Sequence, residues 1–242
     1  MDLYGKIVLV TGGTSGIGKA IAEAFVDEGC RVALCGTRTK AVEEIELAGR
    51  ARAKTCDISD RSQVRSLFNW VENELGSIDI LVNSAAINFP KRDMANLDPE
   101  EFDRLLAVNL TGTFNCIHAA LPGMRQKESG LIINIVSLAG RRVSRLAGAP
   151  YTASKFAMGA LGTYVNKEDA ENGIRVSNIY PGETNTPIID RRDSPPSADR
   201  RKEMLQPEDL AECALMIAKL PSRAVVTDLV IAPPYMMRDY LD

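Results

Sequence analysis

Tyr151 and Lys155 stand four residues apart in A-P-Y-T-A-S-K-F-A-M, residues 149–158. On a helix, positions i and i+4 share a face, so both polar ends point the same way. A phenol ordinarily titrates near 10, and an adjacent ammonium favours its ionised form. Such a pair can give and take a proton near neutral pH. Lowering the phenol by about three units needs roughly 4 kcal/mol of differential stabilisation. One close cation in a partly dehydrated cleft can supply much of that. The same spacing also describes a surface pair with the lysine stem packed on a ring, so the pair acquires meaning only from its surroundings.

A second stretch with chemical potential is T-G-G-T-S-G-I-G, residues 11–18. It follows the apolar run I-V-L-V-T and precedes an amphipathic one, the strand–turn–helix setting in which a glycine-rich loop cradles phosphates. Gly12 permits a tight turn, Gly16 lets backbone approach a pyrophosphate, and Gly18 lets the helix pack close to the strand. Thr14, Ser15 and Ile17 fill the same loop, and the helix N-terminus presents free N–H groups to an anion. A flexible connector is the alternative. Ser137 closes the apolar run L-I-I-N-I-V-S. At the C-terminal end of a strand its hydroxyl lies where open α/β sheets bind ligands and can hold an oxygen that gains charge; a capping role is the alternative.

Apolar strand-like runs and amphipathic helical runs alternate along the whole chain. Strands are predicted at 7–11, 31–35, 52–56, 78–83, 131–136, 174–180 and 225–231, and helices at 16–28, 39–48, 60–75, about 99–125, 151–171 and 207–218. Gly29 and Gly76 close two of the helices, and Asp98 with Pro99 opens another. Near-continuous apolar strands alternating with helices imply a doubly wound, Rossmann-type parallel sheet of about seven strands, covered on both faces. No linker divides residues 1–242, so a single nucleotide-binding domain is expected. The polar, Pro-containing stretch at about 183–205 is expected to be a mobile substrate loop.

The 242 residues are 45% apolar with a net charge of −3. That is enough chain for one large core, and nothing in the charge attracts nucleic acid or an anionic membrane. No apolar run reaches the ~18 residues of a spanning helix, and M-D-L-Y-G-K shows no signal-peptide pattern. Five scattered cysteines without C-x-x-C suit a reduced cytoplasmic protein. The single histidine, His118, has no nearby ligand partners, and no metal site is expected.

Taken in order, T-G-G-T-S-G-I-G, C-D-I (56–58), N-S-A-A (83–86), V-N-L (108–110), I-V-S (135–137), Y-T-A-S-K (151–155) and P-G-E-T-N-T (181–186) resemble the short-chain dehydrogenase/reductase family, from Lys6 to about Ile231. The resemblance implies an NAD(P)-dependent oxidoreductase interconverting a secondary alcohol and a carbonyl. It implies Tyr151 as the general acid/base, Lys155 tuning it and bonding the nicotinamide ribose, and Ser137 holding the substrate oxygen. Asn109 would kink its helix and anchor a water leading to the lysine. Asp57, beside Ile58, would bind the adenine amino group. Asn83 would brace the sheet, and Pro181, Gly182, Thr184 and Thr186 would touch the nicotinamide carboxamide. The family's habit also implies a homo-oligomer, dimer or tetramer, joined through the two long helices.

N-S-A-A replaces the family's usual N-N-A-G, which narrows the cofactor groove without removing a catalytic group. No acidic residue stands at the end of strand two, where Gly36, Thr37 and Arg38 occur. An acid there would favour NAD, and Arg38 can pair with a 2′-phosphate, so NADP is favoured over NAD. Basic residues in R-R-V-S-R (141–145) and at 191–192 and 200–202 suggest an anionic small-molecule substrate. The rival reading is a non-catalytic NAD(P)-binding sensor, which would typically lack the tyrosine or the lysine.

Overall fold

The structure, a computed structural model, describes residues 2–44 and 51–237. Seven parallel strands form one sheet in the order β3-β2-β1-β4-β5-β6-β7. They are β1 (Ile7–Thr11), β2 (Arg31–Gly36), β3 (Ala51–Thr55), β4 (Ile80–Asn83), β5 (Gly130–Ile135), β6 (Ile174–Pro181) and β7 (Asp228–Ile231). The chain winds outward from β1 to β3, then crosses to β4 on the other side of β1. This reversal leaves a crevice beyond the C-terminal ends of β1 and β4, where doubly wound sheets place their ligands.

Alternate side chains of each strand enter opposite layers. Val8, Val10, Val32, Leu34 and Ile133 pack with α1 (Gly16–Asp27) and α8 (Pro207–Lys219). Leu9, Leu81, Ile132 and Val176 pack with α3 (Arg61–Glu74), α5 (Thr113–Gln126) and α6 (Ala149–Asp169). In α1 the buried Gly18, Ile21, Ala22 and Phe25 recur at helical spacing, and fully burying Phe25 is worth roughly 1.5–3 kcal/mol. The helix ends at Gly29, φ +80°. Gly29 N–H donates to Val26 O and Cys30 N–H to Phe25 O, the paired bonds of a left-handed glycine cap.

Asp98 caps α4 (Pro99–Leu106) by accepting from Glu100 N–H, with Pro99 in the first turn. The helix predicted over 99–125 is interrupted. Residues Ala107–Gly112 form a π-helical turn between α4 and α5. The predicted 39–48 helix is seen as α2 (Thr39–Glu43); positions 45–48 lie outside the described residues. The 183–205 stretch holds a 3-10 turn, Pro187–Arg191, and the short α7 (Ala198–Glu203). A last turn, α9 (Pro234–Met237), follows β7.

One row of polar side chains crosses the sheet at a common register. Asn83, Asn134 and Asn178 are direct partners on β4, β5 and β6, and Asp228 partners Asn178 on β7. Asn83 Nδ2 donates to Asn134 Oδ1 at 3.0 Å, Asn134 Nδ2 to Asn178 Oδ1 at 3.0 Å, and Asn178 Nδ2 to Asp228 Oδ1 at 3.3 Å. Gly162 of α6 lies directly on this row, where a side chain would collide with the Asn178 and Asn134 amides.

Candidate active site

A cavity of about 730 Å³ opens over the C-terminal ends of the central strands. Gly12, Thr14, Ser15, Gly16 and Ile17 line one flank, with Arg38, Asp57 and Ile58 beyond them. Ser137, Tyr151 and Lys155 line the other flank, and Pro181, Gly182, Thr184 and Thr186 border the same space. The glycine loop is shaped by contact. At Gly12, φ +67°, a Cβ would sit 2.7 Å from the Ala85 backbone, and at Gly18 one would sit 2.5 Å from Gly12 O. A Cβ on Gly16 would lie 3.2 Å from the Thr186 methyl, so the loop and the 181–186 segment meet across the cavity. Ser15 caps α1 without a side-chain bond to its amides, and the first turn carries no acid. The front of α1 therefore presents unmasked N–H groups to the cavity. These features fit a dinucleotide pyrophosphate on this helix end.

Ser137 follows β5, where its Oγ accepts from Ala139 N–H at 3.1 Å. Its hydroxyl also faces the Tyr151 phenol and acts to lower it. Lys155 is 1% exposed; its Nζ donates to Ile135 O at 2.8 Å and lies 5.5 Å from the Tyr151 ring centre. Burial pushes the Tyr151 phenol up to about 12, against the opposing Ser137 hydroxyl. Burial alone brings the Lys155 ammonium down to about 7. The sequence expectation was a tyrosine lowered by the lysine. In this geometry the ammonium turns to a carbonyl, and desolvation penalises the charged form of each group.

Asn109 is buried in the π-helical turn. Its Oδ1 accepts from Ile87 N–H at 2.8 Å and its Nδ2 donates to Ile87 O at 3.0 Å. The widened turn thereby clamps the loop after β4 that forms the cavity floor. Asn83 and Gly18 also stand behind the cavity wall, in the cross-sheet row and the loop packing already described. Asp57 accepts from Arg104 Nη2 at 2.6 Å and from Ser59 N–H at 2.9 Å. Burial raises its carboxyl, and the Arg104 and Ser59 bonds outweigh that and hold it low. Arg38 stands exposed at the mouth.

The family model for short chain dehydrogenase matches residues 6–196. The chain belongs to the short-chain dehydrogenase family. It is 33% identical over 239 residues to an uncharacterised oxidoreductase of Staphylococcus saprophyticus, covering 96% of this chain and 99% of that one. It is 34% identical over 241 residues to the glycine betaine reductase of Emericella nidulans, covering 96% of this chain but only 19% of that longer protein. Among solved structures, a serine dehydrogenase complexed with NADP+ superposes with a TM-score of 0.86 at 27% identity, covering 94% of each chain. An alcohol dehydrogenase of Thermococcus sibiricus complexed with 5-hydroxy-NADP gives 0.84 at 26% identity, covering 95% of this chain and 97% of that one. No helix among the described residues is long and apolar enough to cross a membrane.

In this short-chain dehydrogenase several cavity residues carry no motif. Asn88, Phe89 and Arg92, on the loop after β4, line the cavity together with Arg104, Leu146 and Met236. Glu183 also lines it, within the P-G-E-T-N-T motif but with no role assigned from sequence. Its carboxylate accepts from Arg192 Nη1 at 2.7 Å and Tyr235 Oη at 2.9 Å, tying the segment after β6 to the turn after β7. The signal for the 88–92 loop was positional: it leaves the C-terminal end of a central strand.

Proposed function

We propose that the protein is an NADP-dependent oxidoreductase that interconverts a secondary alcohol and a carbonyl, with Tyr151 as general acid/base. One observation carries this reading: the Tyr151 phenol, the Ser137 hydroxyl and the buried Lys155 ammonium share one cavity with a glycine loop and an open helix end. When bound, the nicotinamide supplies or accepts the hydride. Ser137 orients the substrate oxygen and stabilises its developing charge. Tyr151 delivers a proton to that oxygen in reduction and removes it in oxidation. Lys155, held by Ile135 O with its Nζ 5.5 Å from the Tyr151 ring centre, would stabilise the ionised phenol as a neighbouring cation. Asn109 positions the loop after β4 through its paired bonds to Ile87. Arg38 at the mouth and the absence of an acid over 36–38 favour a 2′-phosphate, and the NADP-bound relatives support the same cofactor.

The test follows NADPH and NADH consumption over a panel of ketones, aldehydes and keto acids, with Tyr151→Phe as the blank. Tyr151-dependent consumption, faster with NADPH, is the expected outcome. Equal, negligible rates in wild type and variant, with cofactor still bound, would favour a non-catalytic sensor. The exposed Phe114, Phe156 and Tyr164 on α5 and α6 support a homo-oligomer built on these helices, readable by light scattering.

A further inference from the structure

Arg92 is a cation in the cavity wall that the chemistry above does not use. Its carbonyl accepts from Ala149 N–H at 3.3 Å, and its side-chain stem lies against Gly148, where a Cβ would sit 2.6 Å from Arg92 Cβ. Gly148 caps α6, three residues before Tyr151. Asn88 pins the same loop by donating to Ala147 O at 3.0 Å. The guanidinium is therefore carried on the wall that presents the phenol.

Its charge surroundings are one-sided. Arg92 and Arg192 both line the cavity. Burial and the Arg192 charge hold the Arg92 guanidinium below its ordinary range, with Asp193 opposing weakly. Arg192 is paired with Glu183, and that carboxylate is further shared with Arg200 at 3.5 Å. Among the described residues no carboxylate lies within ion-pair distance of Arg92. A partly desolvated guanidinium without its own anion is a ready partner for a planar carboxylate, which it can meet through two parallel bonds. Around it the surface turns apolar. Phe89, Ile188 and Met236 line the cavity, and Val143 and Leu146 stand 81% and 51% exposed at its edge. Exposed apolar side chains gathered at a cleft mark a binding surface.

We propose that this site takes an amphipathic monocarboxylate, an apolar body bearing the reacting carbonyl or alcohol, with Arg92 as the residue that selects its carboxylate. The proposal rests on the carbonyl-reductase reading for the reaction but not for the binding, so two measurements separate them. The first is calorimetric binding to NADP+-saturated protein of carboxylates with one to four fused rings, each beside its neutral primary amide. Wild type should bind the carboxylate at least about tenfold more tightly than the amide, consistent with a charge-assisted pair. Arg92→Met, which keeps an apolar stem on Gly148, should bring the ratio to near one. Lys91→Met, which alters an exposed neighbouring charge outside the cavity, should keep it. Equal affinities in wild type, a ratio that survives Arg92→Met, an equal fall in both variants, or no binding of either member would each overturn the proposal. The second is turnover of matched keto acids and their methyl esters with NADPH. Tyr151-dependent turnover without carboxylate preference overturns the subsite and leaves the reductase standing. Carboxylate-selective binding without turnover of any member overturns the reductase and leaves the subsite standing.

Discussion

Lys155→Met should make the cofactor-free protein more stable, most of all at low pH. The ammonium is 1% exposed, and burial brings it from 10.5 to about 7. The unfolded chain therefore binds more protons than the folded one between about pH 7 and 10.5, and stability rises with pH across that window. Below pH 7 the full cost of burying the charge is present; above 10.5 it is gone. At about 1.36 kcal/mol per unit, the cost is roughly 5 kcal/mol at pH 6 and roughly 2 kcal/mol at pH 9. The lost bond to Ile135 O offsets about 1 kcal/mol at either pH. The methionine variant should thus gain several kcal/mol over wild type at pH 6, and the gain should shrink by about 2–3 kcal/mol at pH 9. Urea unfolding of both proteins at the two pH values, without cofactor, measures this directly. A variant less stable than wild type at pH 6, or a difference that does not change with pH, would refute the reasoning.

Ser137→Ala should lower kcat about 10²–10³-fold with little change in cofactor affinity, read by steady-state kinetics and cofactor titration. Gly18→Ala forces a methyl to within 2.5 Å of Gly12 O; it should cost about 1–3 kcal/mol of stability and at least tenfold in NADP+ affinity, by denaturation and calorimetry. Arg38→Met should cut the ratio of kcat/KM for NADPH over NADH by about tenfold. Asn178→Ala leaves Asn134 Nδ2 without its acceptor and removes one of the donors to Gly159 O, and should destabilise by about 2–3 kcal/mol in denaturant, with the site's cofactor affinity as a control.

The seven-stranded parallel sheet and its two helical layers were legible because apolar runs of buried strands and the helical spacing of Ile21, Ala22 and Phe25 follow from local periodicity; the order of the strands was not read from them. The glycine loop was legible because only glycine tolerates the Gly12 and Gly18 contacts. The break at Asn109 was expected only through the family resemblance, and the structure shows it as a π-helical turn; local spacing is silent there, because Asn109 reaches back 22 positions to Ile87, a tertiary bond. Arg92 escaped for the same reason, since its role arises where the 88–92 loop meets Gly148. The directions in which burial pushes Tyr151 and Lys155 were not legible, because spacing shows that two groups share a face, not which carbonyl the ammonium finds.

The amide row across the sheet has a sense. Asp228 can only accept, so Asn178 must turn its NH₂ outward; Asn134 must then do the same, and Asn83 after it. The innermost oxygen, Asn83 Oδ1, is left without a donor. The orientation of three buried amides on three strands is thus dictated by one carboxylate at the rim, which Arg141 and Tyr180 also grip. No amide in the row can flip singly without setting two donors or two acceptors face to face. The sheet carries, in effect, a one-way string of dipoles whose direction is written at its edge.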